Sequence, residues 1–269
     1  IYGIDAIHGT TYTDGGTMFP QQITTAASWN PQHAYNMAMV CAYETRASSI
    51  PWNFSPVLDL GLDPRFPRQF ESFGEDPLLV KTFGEAMIRG YQGDSNQVND
   101  KTKIAACMKH FIGYHATISG KDRTPSYIPD HVLSEYHIPS FKAAIDAGAK
   151  TIMINSGIIN GIPVHSSYKI LTDLLRNHLG FEGVILTDWE DINKLFDRDK
   201  IVSSKKEAIR LAINAGIDMS MVPYEYEEFI DNLMELVNEG KVSIERIDDA
   251  VHRILKVKKQ IGLFDSVSL

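Results

Sequence analysis

The stretch Gly183-Val-Ile-Leu-Thr-Asp188-Trp189 decides how this chain of 269 residues is read. Its first five residues are apolar apart from the small Gly183 and Thr187. The run is too short for a helix and reads as a buried strand, ending abruptly in a carboxylate and a large aromatic ring. Asp188 therefore stands at the C-terminal tip of a strand. In parallel α/β folds reacting groups collect at such tips, because the strand body holds them rigidly while the loop beyond is free to be shaped to a ligand. A carboxylate beside an indole suits a sugar, whose anomeric carbon takes a nucleophile and whose ring stacks. Taken alone, Asp188 is better read as the N-cap of a following helix.

Working outward, strand and helix patterns alternate, which implies a mostly parallel sheet with helical crossovers. Strands are expected at Ile1–Asp5, Trp52–Leu60, Ile104–Phe111, Thr151–Asn155, Gly183–Asp188 and Gly216–Val222. Between them, Asn30-Pro31 and Asp76-Pro77 are caps followed by proline at the first helical position, each opening a run of apolar residues at helical spacing. Ile138-Pro139 interrupts another helical pattern, so a kink or two shorter helices are expected there. Ser166-Ser167 start a helix that Gly180 ends, and Ser204-Lys-Lys-Glu207 reads as a capping box. Two amphipathic helices close the chain. The segment Asp63–Pro77 has too many prolines for a regular element and too many aromatic and charged residues for a linker, and Gly113–Asp130 is a polar excursion long enough to line a site.

Length and composition bound the possibilities. A (β/α) barrel needs about 250 residues, and no internal repeat or linker divides the chain, so residues 1–269 are expected to form one domain. Six strands, with the chain opening inside the first, predict a TIM-type α/β barrel that is incomplete, its first strand missing. Its open edge invites self-association. Apolar content of 43% and charged content of 22% are those of a globular protein, and no apolar run is long enough to span a membrane. A net charge of −8 argues against nucleic acid as a partner. The cationic cluster Lys256-Val-Lys258-Lys259 sits where a helix end favours it. Cys41 and Cys107 match no metal-ligand spacing and lie in apolar elements, which points to free buried thiols. No metal site is expected.

The strand tips bring together Asp5, the Arg68 loop, Lys109-His110, Asn155-Ser156, Asp188-Trp189 and Pro223-Tyr224. Each has an ordinary structural reading: Asp5 as a cap, Arg68 paired with Glu71, Lys109 snorkelling, His110 as a satisfied core histidine. Their joint placement is harder to explain that way. A barrel's interior is normally filled by apolar layers, and charges gathered at one end need a ligand to offset their desolvation.

Gly3-Ile-Asp5-Ala-Ile-His8-Gly9, Phe66-Pro-Arg68-Gln-Phe-Glu71-Ser72, Lys109-His110-Phe111 and Leu186-Thr-Asp188-Trp189-Glu190 resemble the N-terminal barrel of the family 3 glycoside hydrolases, in particular its β-glucosidases and β-glucan exohydrolases. The resemblance runs from Ile1 to about Phe264. It implies a retaining, exo-acting β-glycosidase that releases terminal β-D-glucose or a similar sugar and needs no cofactor. Asp188 is implied as the nucleophile, Asp5, Arg68, Lys109 and His110 as holders of the terminal sugar's hydroxyls, and Trp189 as a wall of the leaving-group subsite. The partner would be a β-glucoside or β-glucan, and the compartment periplasmic or secreted. Two departures stand out. Ser156 occupies a subsite position where the exohydrolases carry tyrosine. Most members bring the general acid/base glutamate on a C-terminal α/β sandwich domain, which is not expected within residues 1–269. Glu71, Glu135 and Glu190 carry no motif that would assign them that role.

Two rival readings belong to other classes. A lysine at a strand tip could form a Schiff base, which makes an aldolase at Lys109 a possibility separable by borohydride trapping. The other is a non-catalytic sugar-binding barrel or an inactive fragment.

Overall fold

The computed structural model describes residues 1–93 and 97–265; residues 266–269 of the expected domain lie outside them. Its strands are β1 (Gly3–Ile4), β2 (Trp52–Asn53), β3 (Ala105–Phe111), β4 (Thr151–Ile154), β5 (Ile158–Ile159), β6 (Ile162–Pro163), β7 (Val184–Trp189) and β8 (Met219–Met221). Six of them form one sheet in the order β1-β2-β3-β4-β7-β8, with every neighbouring pair parallel. Strands β5 and β6 form a separate antiparallel hairpin.

The sheet is the expected α/β arrangement, and it is not closed by a ladder. Among the described residues β1 and β8 stand at its two ends, yet Ile1, Met219 and Met221 pack on one inner cluster with Trp52, Phe54, Ala105, Cys107, Met153 and Leu186. Side-chain burial thus draws the ends together without backbone pairing. Trp52 crosses this interior and donates its indole N–H to Thr151 Oγ1 at 2.8 Å. A second, larger apolar layer lies between the sheet and the surrounding helices. Both cysteines are free and buried, and burial pushes the Cys41 thiol to about 11 and Cys107 to about 12, so neither is a thiolate at neutral pH.

The strand after Ile50 is shorter than its pattern suggests. Pro56 has no N–H, and the regular ladder stops at Asn53. The chain still tracks β3 as far as Leu58: Cys107 and Lys109 donate to the Ser55 and Pro56 carbonyls at 3.1 and 3.0 Å, and Leu58 donates to Lys109 at 2.6 Å. This delivers Asp59 beside the tip of β3.

The helix starts follow their caps. Asn30 accepts from Gln32 N at 3.1 Å, Asp76 from Leu78 N at 2.7 Å, and Ser204 from Glu207 N at 3.2 Å. The capping box is half made, because the Glu207 carboxylate reaches Arg210 Nε instead, at 2.8 Å. At Ile138-Pro139 the helical rod continues: Asp130–Val132 runs into a π-turn, Leu133–His137, and then Ile138–Asp146. The wider turn accommodates the amide that Pro139 lacks.

The helices Pro31–Ala47 and Pro77–Gln92 meet closely at Gly90, where a Cβ would stand 2.5 Å from the Tyr35 carbonyl and 2.6 Å from Ala38 Cβ. Gly90→Ala gains about 1 kcal/mol of helix propensity but overpacks a backbone contact, a strain worth about 1–3 kcal/mol or more. We expect a net loss of about 1 kcal/mol or more in chemical denaturation. An unchanged or raised midpoint would mean the helices part at no cost.

Candidate active site

The C-terminal ends of the parallel strands carry the polar groups. Strand β3 supplies two consecutive ones, and a regular strand would turn them to opposite faces. Here the β3–β4 register shifts between Met108 and Phe111, and both Lys109 and His110 are buried within reach of site groups. The Lys109–His110 and Phe111–Ile112 peptides are cis. Lys109 Nζ lies 2.5 Å from Asp5 Oδ1, joining the tips of β3 and β1. That ion pair occupies the amine a Schiff-base chemistry would require.

His110 is oriented from behind. Asp59 Oδ2 accepts from the His110 backbone N–H at 2.9 Å and faces its Nδ1 at 2.8 Å, while Nε2 faces Arg68 Nη2 at 3.4 Å. Arginine has only donors, so Nε2 carries the lone pair and Nδ1 the proton. Burial, joined by the positive charges of Arg68 and Lys109, holds His110 well below its ordinary range, and the ring is neutral. Burial pushes Asp59 up to about 7, against the His110 backbone N–H and Arg68.

Arg68 comes from the loop after β2 and makes a bidentate pair with Glu71, 2.8 Å at Nε and 2.6 Å at Nη2; its Nη1 donates to Tyr114 Oη at 3.3 Å. The local Arg68–Glu71 pairing and the site placement are therefore both realised. The guanidinium keeps one edge on Glu71 and turns the other toward His110 and Tyr114.

Asp188, near the end of β7, keeps 13% of its side chain exposed. Burial pushes its pKa up, but Arg123, the Trp189 N–H, Lys109 and Arg68 pull harder the other way and leave it below the ordinary carboxylate range. Arg123 Nη2 touches Asp188 Oδ2 at 3.1 Å, and the Trp189 N–H donates to Oδ1 at 2.7 Å. Trp189 is 46% exposed and meets Tyr224 edge-on, with ring centroids 6.3 Å apart. Ser156 is fully buried; its hydroxyl donates to Asp191 at 2.5–2.6 Å and accepts from Arg123 Nε at 3.1 Å.

Asp5, Arg68, Lys109, His110, Ser156 and Asp188 are thus linked through direct contacts and shared charge, with Trp189 at the rim. Sequence reasoning missed Arg123, Asp59 and Asp191. Arg123 lies in the polar excursion already suspected of lining a site, but no pattern there singles it out. Of the unassigned carboxylates, Glu71 is clamped by Arg68 and Glu135 is exposed on a helix. Among the described residues no group of three or more His, Cys, Asp or Glu is placed to hold a metal, and no helix is long and apolar enough to cross a membrane.

Comparison with known proteins follows the same lines. A family model described as the glycosyl hydrolase family 3 N terminal domain matches residues 1–257. A lysosomal β-glucosidase of Dictyostelium discoideum is 46% identical over 99% of this chain and 33% of its own length. A periplasmic β-glucosidase of Salmonella typhimurium is 32% identical over 98% of this chain and 33% of its own. The crystal structure of a Listeria innocua β-glucosidase in complex with glucose superposes with a TM-score of 0.93 at 34% identity, covering 99% of this chain and 36% of that one. The chain spans about a third of the length of these proteins.

The Asp59 contact makes a definite prediction for His110. Long-range ¹⁵N NMR should show Nδ1 protonated and Nε2 bare, with no titration near pH 6.5, because the folded pKa is depressed far below that value. A protonated Nε2, or a midpoint near 6.5, would contradict this account of the site.

Proposed function

Because the chain belongs to glycosyl hydrolase family 3, we propose that residues 1–269 are the catalytic barrel domain of a retaining, exo-acting β-glycosidase that releases glucose or a similar sugar from β-glucosides or β-glucans. The observation that carries this reading is the ionised, nearly enclosed Asp188 at the tip of β7, faced by three cations. A nucleophilic carboxylate has to be charged before it attacks, and these cations keep it so.

Asp188 would attack the anomeric carbon while the leaving-group oxygen departs with the bonding pair and takes a proton, giving a glycosyl-aspartate. Water would then attack the same carbon, the Asp188 carboxylate leaving with its electron pair. Asp5 accepts from sugar hydroxyls, Lys109 and Arg68 donate, and the bare Nε2 of His110 accepts. Such a set leaves its own polar groups unmatched when a hydroxyl is missing or inverted, which gives selectivity. Trp189 offers a face to the leaving group. The Salmonella relative's periplasmic name supports a periplasmic or secreted setting.

The proton donor for the leaving group is a separate matter. Glu71 is held by Arg68, Asp122 by Tyr114 and Arg123, and Asp191 by Ser156 and Lys194. That favours a donor outside this barrel, as on the family's sandwich domain, and it is also the observation behind the second reading, a barrel that binds sugar without turning it over.

A leaving group that departs unprotonated separates the two. We expect the chain to be slow or inactive on cello- and laminari-oligosaccharides, yet to be labelled at Asp188 by a 2,4-dinitrophenyl 2-deoxy-2-fluoro-β-glucoside. Mass spectrometry should find one sugar on the Asp188 peptide and none in Asp188→Asn; no label under saturating reagent favours the binding-only reading. Rapid hydrolysis of unactivated oligosaccharides would instead place the acid within this chain. Asp5→Ala should weaken glucose binding by about 1.5–3 kcal/mol, the worth of a charged hydrogen bond, measured by calorimetry. Equal affinity would remove Asp5 from the sugar site.

A further inference from the structure

Arg123 reaches the Asp188 carboxylate from a loop that no sequence pattern marks. Its guanidinium is held on three sides: Nη2 lies 3.1 Å from Asp188 Oδ2, Nη1 2.9 Å from Asp122 Oδ2, and Nε 3.1 Å from Ser156 Oγ. Ser156 has a single proton and gives it to Asp191, so its remaining lone pairs are free to accept from Arg123. Asp191 is itself fixed by Lys194 at 2.8 Å. A fully buried, neutral hydroxyl therefore hands the position of Asp191 on to Arg123, and Arg123 hands it on to the nucleophile. A tyrosine at residue 156, as the resembled exohydrolases carry, would put a ring where this small hydroxyl meets Arg123.

We propose that Arg123, anchored by Ser156, is a further catalytic residue of this enzyme, gripping the Asp188 carboxylate and receiving its charge when the glycosyl–Asp188 bond breaks. The proposal rests on the reading of Asp188 as the nucleophile. In the first half-reaction the Asp188 oxygen bonds the anomeric carbon, the leaving group departs with the electron pair, and the ester that results no longer carries the charge Arg123 paired with. In the second, water oxygen bonds the anomeric carbon, the C–O bond to Asp188 breaks, and the electron pair returns to the carboxylate facing Arg123. A cation fixed there makes the carboxylate a less basic nucleophile and a better leaving group. It therefore favours deglycosylation.

Several titratable groups, charged and neutral, face this pair. Lys109 from β3, Arg68 from the loop after β2 and His165 from the turn Val164–Ser166 act on Asp188; Asp122, Tyr114 and Asp191 act on Arg123. Among the groups that lower the Asp188 pKa, Arg123 is the foremost, which accords with its contact.

Two measurements on the 269-residue chain test the role. The first is a ¹³C NMR titration of the Asp188 carboxylate, assigned with Asp188→Asn. The midpoint should rise by about one pH unit or more in Arg123→Gln, as expected when an adjacent arginine is lost. It should rise by less in Ser156→Ala, which removes the anchor without altering any charge, and fall back in Arg123→Lys. The second is turnover of the 2-fluoroglucosyl–Asp188 adduct, which should slow several-fold in Arg123→Gln and less in Ser156→Ala. An Asp188 midpoint unmoved in both Arg123→Gln and Ser156→Ala overturns the proposal even where the parent labels normally. An adduct that turns over at the parent rate in Arg123→Gln does the same. A parent that takes no label overturns the nucleophile reading and with it a catalytic Arg123, whatever the titration gives. Should Arg123→Gln unfold, Ser156→Ala alone decides by the sign of its shift, and an unshifted or lowered midpoint counts against the role.

Discussion

A carboxylate that is nearly enclosed and still ionised is the constraint on which the upper face of this barrel depends. Removing a charge from water is costly unless opposite charge replaces the solvent. Asp188 meets this with cations from three separate segments: Arg68 after β2, Lys109 on β3 and Arg123 beyond it. The irregular register at the end of β3 is part of the same solution, because it accompanies two neighbouring residues that both face the site although strand alternation would separate them.

Cations packed around one anion would repel each other, and each of them carries its own counter-group. Arg68 is clamped by Glu71, Lys109 by Asp5, and Arg123 by Asp122, while the neutral His110 is fixed by Asp59. The result is a network in which positive and negative groups alternate across the strand tips. Networks of this kind orient dipoles and charges before a ligand arrives, so little reorganisation is left for the moment of reaction. The same pairing leaves Glu71, Asp122 and Asp191 each committed to a cation or a hydroxyl.

Beneath this polar layer the fold is held by two apolar regions with different duties. The outer one joins sheet to helices and depends on close approaches such as that at Gly90. The inner one, built around Trp52, Phe54, Met153 and Leu186, brings the unpaired ends β1 and β8 toward each other through Ile1, Met219 and Met221. Hydrophobic burial is non-directional, so it can close a gap where hydrogen-bond geometry is not met.

The sequence by itself determined the features that repeat along the chain. Short apolar runs ending in polar residues located the strand tips, Asn30, Asp76 and Ser204 located helix starts, and Gly180 located a helix end, because periodicity and capping are written into neighbouring residues. Asp188 and Lys109-His110 were legible for that reason, whereas Arg68 was legible from the unusual composition of its loop and from the family resemblance. Tertiary structure alone decided that Arg123 grips Asp188 from 65 residues away, that Asp59 sets the His110 tautomer from 51 residues away, and that Ser156 hands on the position of Asp191. Loops carry no period, and a polar side chain in one has many partners within reach until the strands are in register. The half-made capping box and the π-turn before Pro139 belong to the same class, since Arg210 competing for Glu207 and a missing amide each redirect a local signal. Local chemistry chose the elements; the packing of the barrel chose which of their side chains meet.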